Sequence, residues 1–428
     1  MKSIDTKDKN WTAVKLGDVC PTVFSGGTPD TRIPRYWSGD IPWLSSGETR
    51  NAFIAETEKK VNEEAINNSS TRWAKKGDVV IASAGQGHTR GQVSFLMIDT
   101  LINQSLVVLR PNKDKLDSLF LFYLLRLRYN EIRSKSDCSS TRGSITGPLM
   151  KGLSLYIPIE VAKQKEIVEK IFSYDRLIEN NEKRIKILEE MTERLYREWF
   201  VKLNFPGHEK VRLVYSGTGY GEIPEGWEVK KLGEVVSVVR GCSYSSEEID
   251  DFEGDYYIVN LKSFNRGGGF RFDGAKFYSG DINEDQKLRT GDIVVAVTDM
   301  TTDRAVIARP ARVPEIDGKV TFSADVVKVN SSVLPNSFLY QLLSTYEFTE
   351  TTKQMANGAN VLHLKPAAIL EFETLIPDAK MLEQFDFLCR PSTLEIDKLL
   401  KQNDNLSKTR DLLIPQLVTG KRGLQKMA

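Results

Sequence analysis

The sequence predicts an α/β protein: two similar α/β domains and two long helices that pair as an antiparallel coiled coil, related by a pseudo-two-fold. Two observations predict it. The chain repeats itself once, and each repeat ends in an apolar three-four alternation. Trp11-Thr-Ala-Val-Lys-Leu-Gly-Asp-Val19 returns as Trp227-Glu-Val-Lys-Lys-Leu-Gly-Glu-Val235, and Lys76-Gly-Asp-Val-Val-Ile81 returns as Thr290-Gly-Asp-Ile-Val-Val295. Phe120-Leu-Phe-Tyr-Leu-Leu125 returns as Phe338-Leu-Tyr-Gln-Leu-Leu343, and Leu155-Tyr-Ile-Pro158 as Thr374-Leu-Ile-Pro377. The offsets are 216, 214, 218 and 219, in constant order. Two copies exclude a solenoid and leave a tandem duplication. A two-fold protein fits a two-part target, which points toward DNA.

Within each repeat the β-branched runs Asp78-Val-Val-Ile-Ala82, Ser105-Leu-Val-Val-Leu-Arg110, Asp292-Ile-Val-Val-Ala-Val297 and Asp325-Val-Val-Lys-Val329 read as strands. A Leu/Phe-rich helix follows near Ser118–Tyr129 and Asn336–Thr345, and a last strand ends at Pro158 and Pro377. Beyond it Ile171, Tyr174, Ile178, Asn181, Ile185, Leu188, Thr192, Leu195 and Trp199 form a seam of 3.5-residue period. About 40 helical residues span roughly 60 Å. In the second copy Ile396, Leu399, Asn403, Leu406, Leu413 and Leu417 hold the same seam. Pro391 predicts a break or kink there, and Pro415 an end. Each helix needs a partner, and the nearest available is the other. Asn181 and Asn403 either fix the register as buried polar residues or are tolerated near solvent.

The boundaries read as a first domain at 1–158, a long helix at 159–204, a flexible return at 205–226, a second domain at 227–377, a second helix at 378–420 and a tail at 421–428. The return carries Ser216-Gly-Thr-Gly-Tyr-Gly221. That stretch looks like a phosphate loop but does not follow a buried strand, so it reads as linker.

The chain has 59 basic and 58 acidic residues, a net charge of +1 that argues against a generic nucleic-acid binder. Distribution matters more than the sum. Arg126, Arg128, Arg133, Lys135, Arg142 and Lys151 face only Glu131 and Asp137 between 126 and 151. That stretch is either a solvated charged face or an electrostatic footprint for phosphate. No apolar run is long enough for a membrane span, and the polar first ten residues are no signal peptide. Cys20, Cys138, Cys242 and Cys389 lie far apart, neither a metal quartet nor a disulfide framework, which fits a reducing cytoplasm.

Catalytic patterns are absent. No P-loop exists, and no Asn-Pro-Pro-aromatic tetrapeptide of the amino-methyltransferases; His88, His208 and His363 lack metal spacing. The polar loops say more. Ala82-Ser-Ala-Gly-Gln-Gly-His-Thr-Arg-Gly-Gln92 stands where the second copy has Thr298-Asp-Met-Thr-Thr-Asp-Arg304. Cys138-Ser-Ser-Thr-Arg-Gly-Ser-Ile-Thr146 stands where it has Asn357-Gly-Ala-Asn-Val-Leu-His-Leu-Lys365. The frames repeat and the loops do not. Either loops have simply diverged, or one scaffold carries two recognition surfaces that contact base edges and phosphates. On the second reading the DNA-binding candidates are Gln86, His88, Thr89, Arg90, Gln92, Thr141, Arg142, Ser144, Thr298, Thr301, Thr302, Arg304, Asn357, Asn360, His363 and Lys365. The seam candidates are Ile178, Asn181, Ile185, Leu188, Leu399, Asn403, Leu406 and Leu413.

Several segments carry a family resemblance. Ser25-Gly-Gly-Thr-Pro29, Ile41-Pro-Trp-Leu-Ser-Ser-Gly-Glu48, Gly77-Asp-Val-Val80 and Asn103-Gln-Ser105 look like a target recognition domain. Leu195-Tyr-Arg-Glu-Trp-Phe200 looks like the end of a first long helix, Gly221-Glu-Ile-Pro-Glu-Gly-Trp227 like the entry to a second domain, and Pro415-Gln-Leu-Val-Thr-Gly420 like a C-terminal close. In that order they resemble the specificity subunit of type I restriction–modification systems. Met300-Thr-Thr-Asp303 and Pro391 depart from the pattern. The resemblance implies two target recognition domains that read a bipartite double-stranded DNA sequence, one half-site each, with the helices setting a spacer. It implies no catalytic site, no metal and no cofactor in this chain. Two methyltransferase subunits would use S-adenosylmethionine, restriction and translocase subunits would use ATP and Mg, and the setting would be cytoplasmic, without membrane. Two rival readings stand beside it: an enzyme that cuts or methylates alone, and a coiled-coil adaptor that binds two proteins and no DNA.

Overall fold

The computed structural model describes residues 10–85, 87–139, 143–272, 274, 276–300, 304–358 and 361–420; the side chains of 138 and 139 and the expected tail at 421–428 lie outside that description. Two compact units emerge, Met1–Arg176 with Ser407–Ala428, and Leu177–Leu406. Each holds one α/β domain and a stretch of both long helices.

In the first unit the strand Val79–Ala82 is apolar and buried along its whole length. Such a run marks a strand covered on both faces, because alternate side chains point to opposite sides. Val79 and Ile81 enter a core with Phe120, Tyr123 and Leu155. Val80 enters another with Leu44, Leu96 and Ile102. The five-stranded sheet runs Thr22–Ser25, Leu106–Arg110, Val79–Ala82, Val93–Leu96, Phe53–Ile54. A four-stranded sheet runs Lys59–Val61, Ile41–Leu44, Thr100–Ile102, Arg72–Ala74. Trp11–Lys15 pairs antiparallel with Ser154–Pro158 and closes the domain. The helix Ser118–Leu127 starts at Asp117, whose carboxylate accepts the Phe120 amide at 3.0 Å.

The second unit repeats the order. Ser237–Arg240, Val326–Asn330, Ile293–Ala296 and Pro310–Arg312 form one sheet, and Ile249–Asp250, Phe277–Tyr278, Tyr256–Val259 and Lys319–Phe322 the other. Ile293 and Val295 enter one core and Val294 and Ala296 another, the same division as at Val79–Ala82. Glu228–Lys231 pairs with Glu373–Ile376 as Trp11–Lys15 does with Ser154–Pro158. Both copies share the parallel pair Ile41–Leu44 with Thr100–Ile102 and Tyr256–Val259 with Lys319–Phe322.

The first long helix is Val161–Tyr196, followed by a π-helical turn over Arg197–Val201. In the first unit Ile167, Val168 and Ile171 share a core with Leu417 and Val418 of the second long helix. Above them the Asp175 carboxylate accepts Arg410 at 2.6 Å and the Tyr123 hydroxyl. Burial and the Asp175 charge both push the Tyr123 pKa up, so the phenol stays a donor. Just past the end of the second helix stands Gly420, whose left-handed φ of 74° a side chain would resist. A Cβ there would also stand 3.0 Å from the Trp11 ring.

In the second unit Asn181 Nδ2 donates to Asn403 Oδ1 at 2.9 Å, and Arg184 pairs with Glu395 at 2.6 Å. The partner number falls as the first rises, so the helices run antiparallel. Asn181, Ile185 and Leu399 are buried; Ile178, Leu188, Asn403 and Leu406 are half-buried, as Leu413 is in the first unit. Gln341 donates to Thr192 at 2.9 Å, which ties the domain helix to the seam. Tyr196, Trp199 and Phe200 pack with Phe338 and Phe385, so the aromatic motif is a plug between helix and domain.

Two local expectations are corrected. The second helix runs unbroken over Ala379–Val418, through Pro391, and ends just past Pro415. Pro391 frees the Phe387 carbonyl, but Phe387 is 74% exposed, so that carbonyl lies on a face open to water. Pro415 likewise frees only the Asp411 carbonyl, on an exposed residue. The expected flexible return holds paired strands, Leu213–Tyr215 with Glu222–Pro224. Ser216–Gly221 is their turn, and Tyr220 donates to the Glu373 carbonyl at 3.0 Å. Phe205, Ile223 and Trp227 are buried beside it.

Asp175→Ala removes the acceptor that Arg410 and Tyr123 share and leaves Arg410 only its exposed neighbour Asp411, so it should cost about 3 kcal/mol in denaturant unfolding. The double variant with Arg410→Ala should cost clearly less than the sum of the singles. Additive losses would show that the pair does not couple the helices.

Candidate nucleic-acid interface

The structure brings the two variable loops of each copy together. In the first unit the Ile145 amide donates to the Ser83 carbonyl at 2.9 Å. In the second the Leu364 amide donates to the Val297 carbonyl at 2.8 Å. Those positions are offset by 219 and 214, the offsets of the flanking repeats, so one backbone bond has survived between two pairs of unlike loops.

Gln86, Thr141, Arg142, Thr301, Thr302 and Asn360 lie outside the described residues. Of the others in the first unit, His88 is exposed and its carbonyl accepts the Tyr129 hydroxyl at 2.9 Å. Thr89 and Gln92 are half-buried; the Thr89 carbonyl accepts the Gln92 amide at 3.0 Å, and the Gln92 side chain accepts Thr49 at 3.3 Å. Ser144 is half-buried beside the Ser83 carbonyl.

Arg90 departs from its expected place at base edges. It is 8% exposed and turned inward. Its guanidinium donates to the Gly143 carbonyl at 2.7 Å and pairs with Asp137, bracing one loop against the other. The position of Gly143 favours glycine, since its φ of 56° is left-handed and a Cβ would displace the Arg90 guanidinium.

In the second unit a buried acid does the bracing. The Asp299 carboxylate is 1% exposed and accepts the amides of Val306 at 2.7 Å and Ile307 at 2.9 Å. The sequence motif gave no sign of this, because both donors lie beyond the loop's polar stretch. Thr298 is buried and lies 3.5 Å from the His363 ring, on paired strands. Asn357 and His363 exchange both backbone bonds, at 2.9 and 2.8 Å. Arg304, Asn357, His363 and Lys365 are exposed. Arg304 and Ala308 have left-handed φ of 53° and 61°, a strained backbone held by the bonds around it. Thr298, His363 and Asn357 therefore form one cluster; no contact joins them to Lys365 or Arg304 among the bonds described.

The arrangement offers donors, acceptors and cations on a rigid frame. Among the described residues no three His, Cys, Asp or Glu side chains group to hold a metal. Cys20, Cys242 and Cys389 are buried free thiols, and burial pushes Cys20 and Cys389 up to about 12. No helix among the described residues is long and apolar enough to cross a membrane.

A duplicated α/β scaffold with paired variable loops on paired helices is the class that fold and site define. Residues 8–190 match the type I restriction modification DNA specificity domain. The chain is 28% identical to the type I restriction enzyme MjaIX specificity subunit of Methanocaldococcus jannaschii, over 98% of this chain and 95% of that protein. It is 22% identical to the HindI specificity subunit of Haemophilus influenzae, over 96% and 99%. In fold it is similar to the S subunit of a type I restriction-modification system from M. genitalium, at a TM-score of 0.57 and 14% identity over 96% and 97% of the two chains. Over nearly its whole length the chain is thus similar to type I restriction enzyme specificity subunits, and its first part matches their DNA specificity domain.

Asp299→Ala removes a buried charged acceptor from two amides and should cost about 2–3 kcal/mol. Amide exchange should accelerate at Val306 and Ile307 and stay slow at Val294; equal acceleration at all three would mean global rather than loop destabilisation. Arg90→Ala should lower the melting temperature, whereas Arg304→Ala should leave it unchanged. The reverse order would return Arg90 to the exposed reading surface.

Proposed function

We propose that this chain reads a bipartite duplex DNA sequence for a type I restriction–modification complex, one half-site per α/β domain. The observation that carries the reading is the conserved bond between two diverged loop pairs, Ser83 to Ile145 and Val297 to Leu364. A scaffold that keeps its frame and changes its loops in place is suited to reading two different half-sites. His88, Arg304, Asn357, His363 and Lys365, exposed on those loops, are the side chains that would meet DNA, while Arg90 would position its loop.

On this reading the chain itself does no chemistry. Two methyltransferase subunits would supply S-adenosylmethionine-dependent methylation, and restriction subunits ATP- and Mg-dependent translocation and cleavage, in the cytoplasm. The second unit leaves Ile187 and Met191 of one long helix and Phe387, Leu388 and Leu394 of the other exposed. An apolar surface of that kind suits the docking of a partner subunit.

Binding of the full chain to labelled duplexes, with and without the methyltransferase partners, tests the reading against a protein-only adaptor. Specific, salt-dependent binding is expected. Partner binding with no duplex affinity at any salt would leave the adaptor.

The helices should also set the spacer. Matched seven-residue insertions in both add about 10 Å, roughly three base pairs of duplex. The methylated motif should keep its half-sites and gain that spacing. New half-sites at an unchanged spacing would show that something other than the helices places the domains.

A further inference from the structure

Beside the paired loops, the first unit has an open polar cavity of about 280 Å³. Thr49, Arg50, His88, Gln92, Arg126 and Tyr129 line it. His88 and Gln92 come from the variable loop, whereas Arg126 stands at the end of the helix Ser118–Leu127, one turn past Tyr123.

The cations around it differ in commitment. Arg50 is paired with Glu58. Arg128 is held by Glu131 at 2.7 Å, and Arg133 donates to the Tyr129 hydroxyl at 2.7 Å. Arg126 is exposed and lies 5.4 Å from the Phe122 ring, and among the described residues it forms no ion pair. The nearby Asp175 is already engaged by Arg410 and Tyr123. Partial burial of the guanidinium and then the positive charge of Arg410 lower the Arg126 pKa, with Asp175 and Asp411 pulling the other way.

The scaffold does not require this cation. At the repeat offset of 218 the second unit has Ser344 in place of Arg126. An uncommitted guanidinium in an open polar cavity, bordered by the proposed reading loop, has the chemistry of a phosphate contact.

We propose that this cavity receives a backbone phosphate of the bound duplex, with Arg126 as the cation that meets it. The inference rests on the DNA-reading function proposed above. The contact would position the first domain on its half-site without reading a base, and the second domain would lack it.

Salt titration of specific duplex binding tests it, with the full chain and its Arg126→Gln and Arg126→Lys variants. Losing one phosphate contact lowers the slope of log affinity against log salt by about 0.9, so the advantage of wild type over Arg126→Gln should shrink roughly threefold between 50 and 200 mM salt. Sequence preference should not change, and Arg126→Lys should keep most of the slope. An unchanged slope in Arg126→Gln overturns the proposal, whatever happens to its melting temperature. A changed base preference overturns it too, since Arg126 would then read sequence. Absence of duplex binding by wild type, with partner subunits present, would instead overturn the DNA-reading function and this inference with it.

Discussion

The pairing of the two long helices is the constraint on which the rest depends. An apolar seam of 3.5-residue period is satisfied almost equally well by a slip of one heptad, because Leu, Ile and Val packing is tolerant. Polar contacts remove that freedom. In the first unit Asp175 meets Arg410 and Tyr123 at the edge of the core, and in the second Asn181 meets Asn403. A slip would leave a buried carboxylate and guanidinium, or two amides, without partners, at a cost of several kcal/mol. Tyr123 extends this control into the domain, since it lies on the helix Ser118–Leu127 that packs on the central sheet. Gln341 has the matching task in the second unit through Thr192.

On that base each domain separates frame from surface. Strands such as Val79–Ala82 and Ile293–Ala296 are buried on both faces and divide their side chains between two cores. Little can change there without a cavity or a clash. The loops leaving these strands are held by other means, an inward Arg90 with Asp137 in one copy and a buried Asp299 in the other. Two unrelated bracing devices serve one shared backbone bond, so loop sequences vary while the loop pair stays in place.

Much of this was legible in the residues. The offsets between repeats foretold two copies with one order of segments, and the three-four alternation from Ile171 foretold a long helix that a partner had to cover. The loop pairs were also visible as unlike segments between like frames. What escaped depends on distance. Arg90 looked like a reader because its partner Asp137 lies 47 residues away. Asp299 looked like one polar loop residue among several because nothing local marks two amides folding back on it. Pro391 looked like a break because the exposure of Phe387 on a helix face was unknown. The turn at Ser216–Gly221 looked like loose chain because short strands of three residues carry too little pattern to be seen.

The central claim is that the two domains read separate half-sites independently. Exchanging residues 227–377 for the matching domain of a relative, and sequencing the methylated positions in a host that carries the hybrid with its partner subunits, tests it most directly. The account predicts that one half-site changes while the other half-site and the spacing between them persist. A motif altered in both halves would contradict it, because recognition would then belong to the two domains jointly.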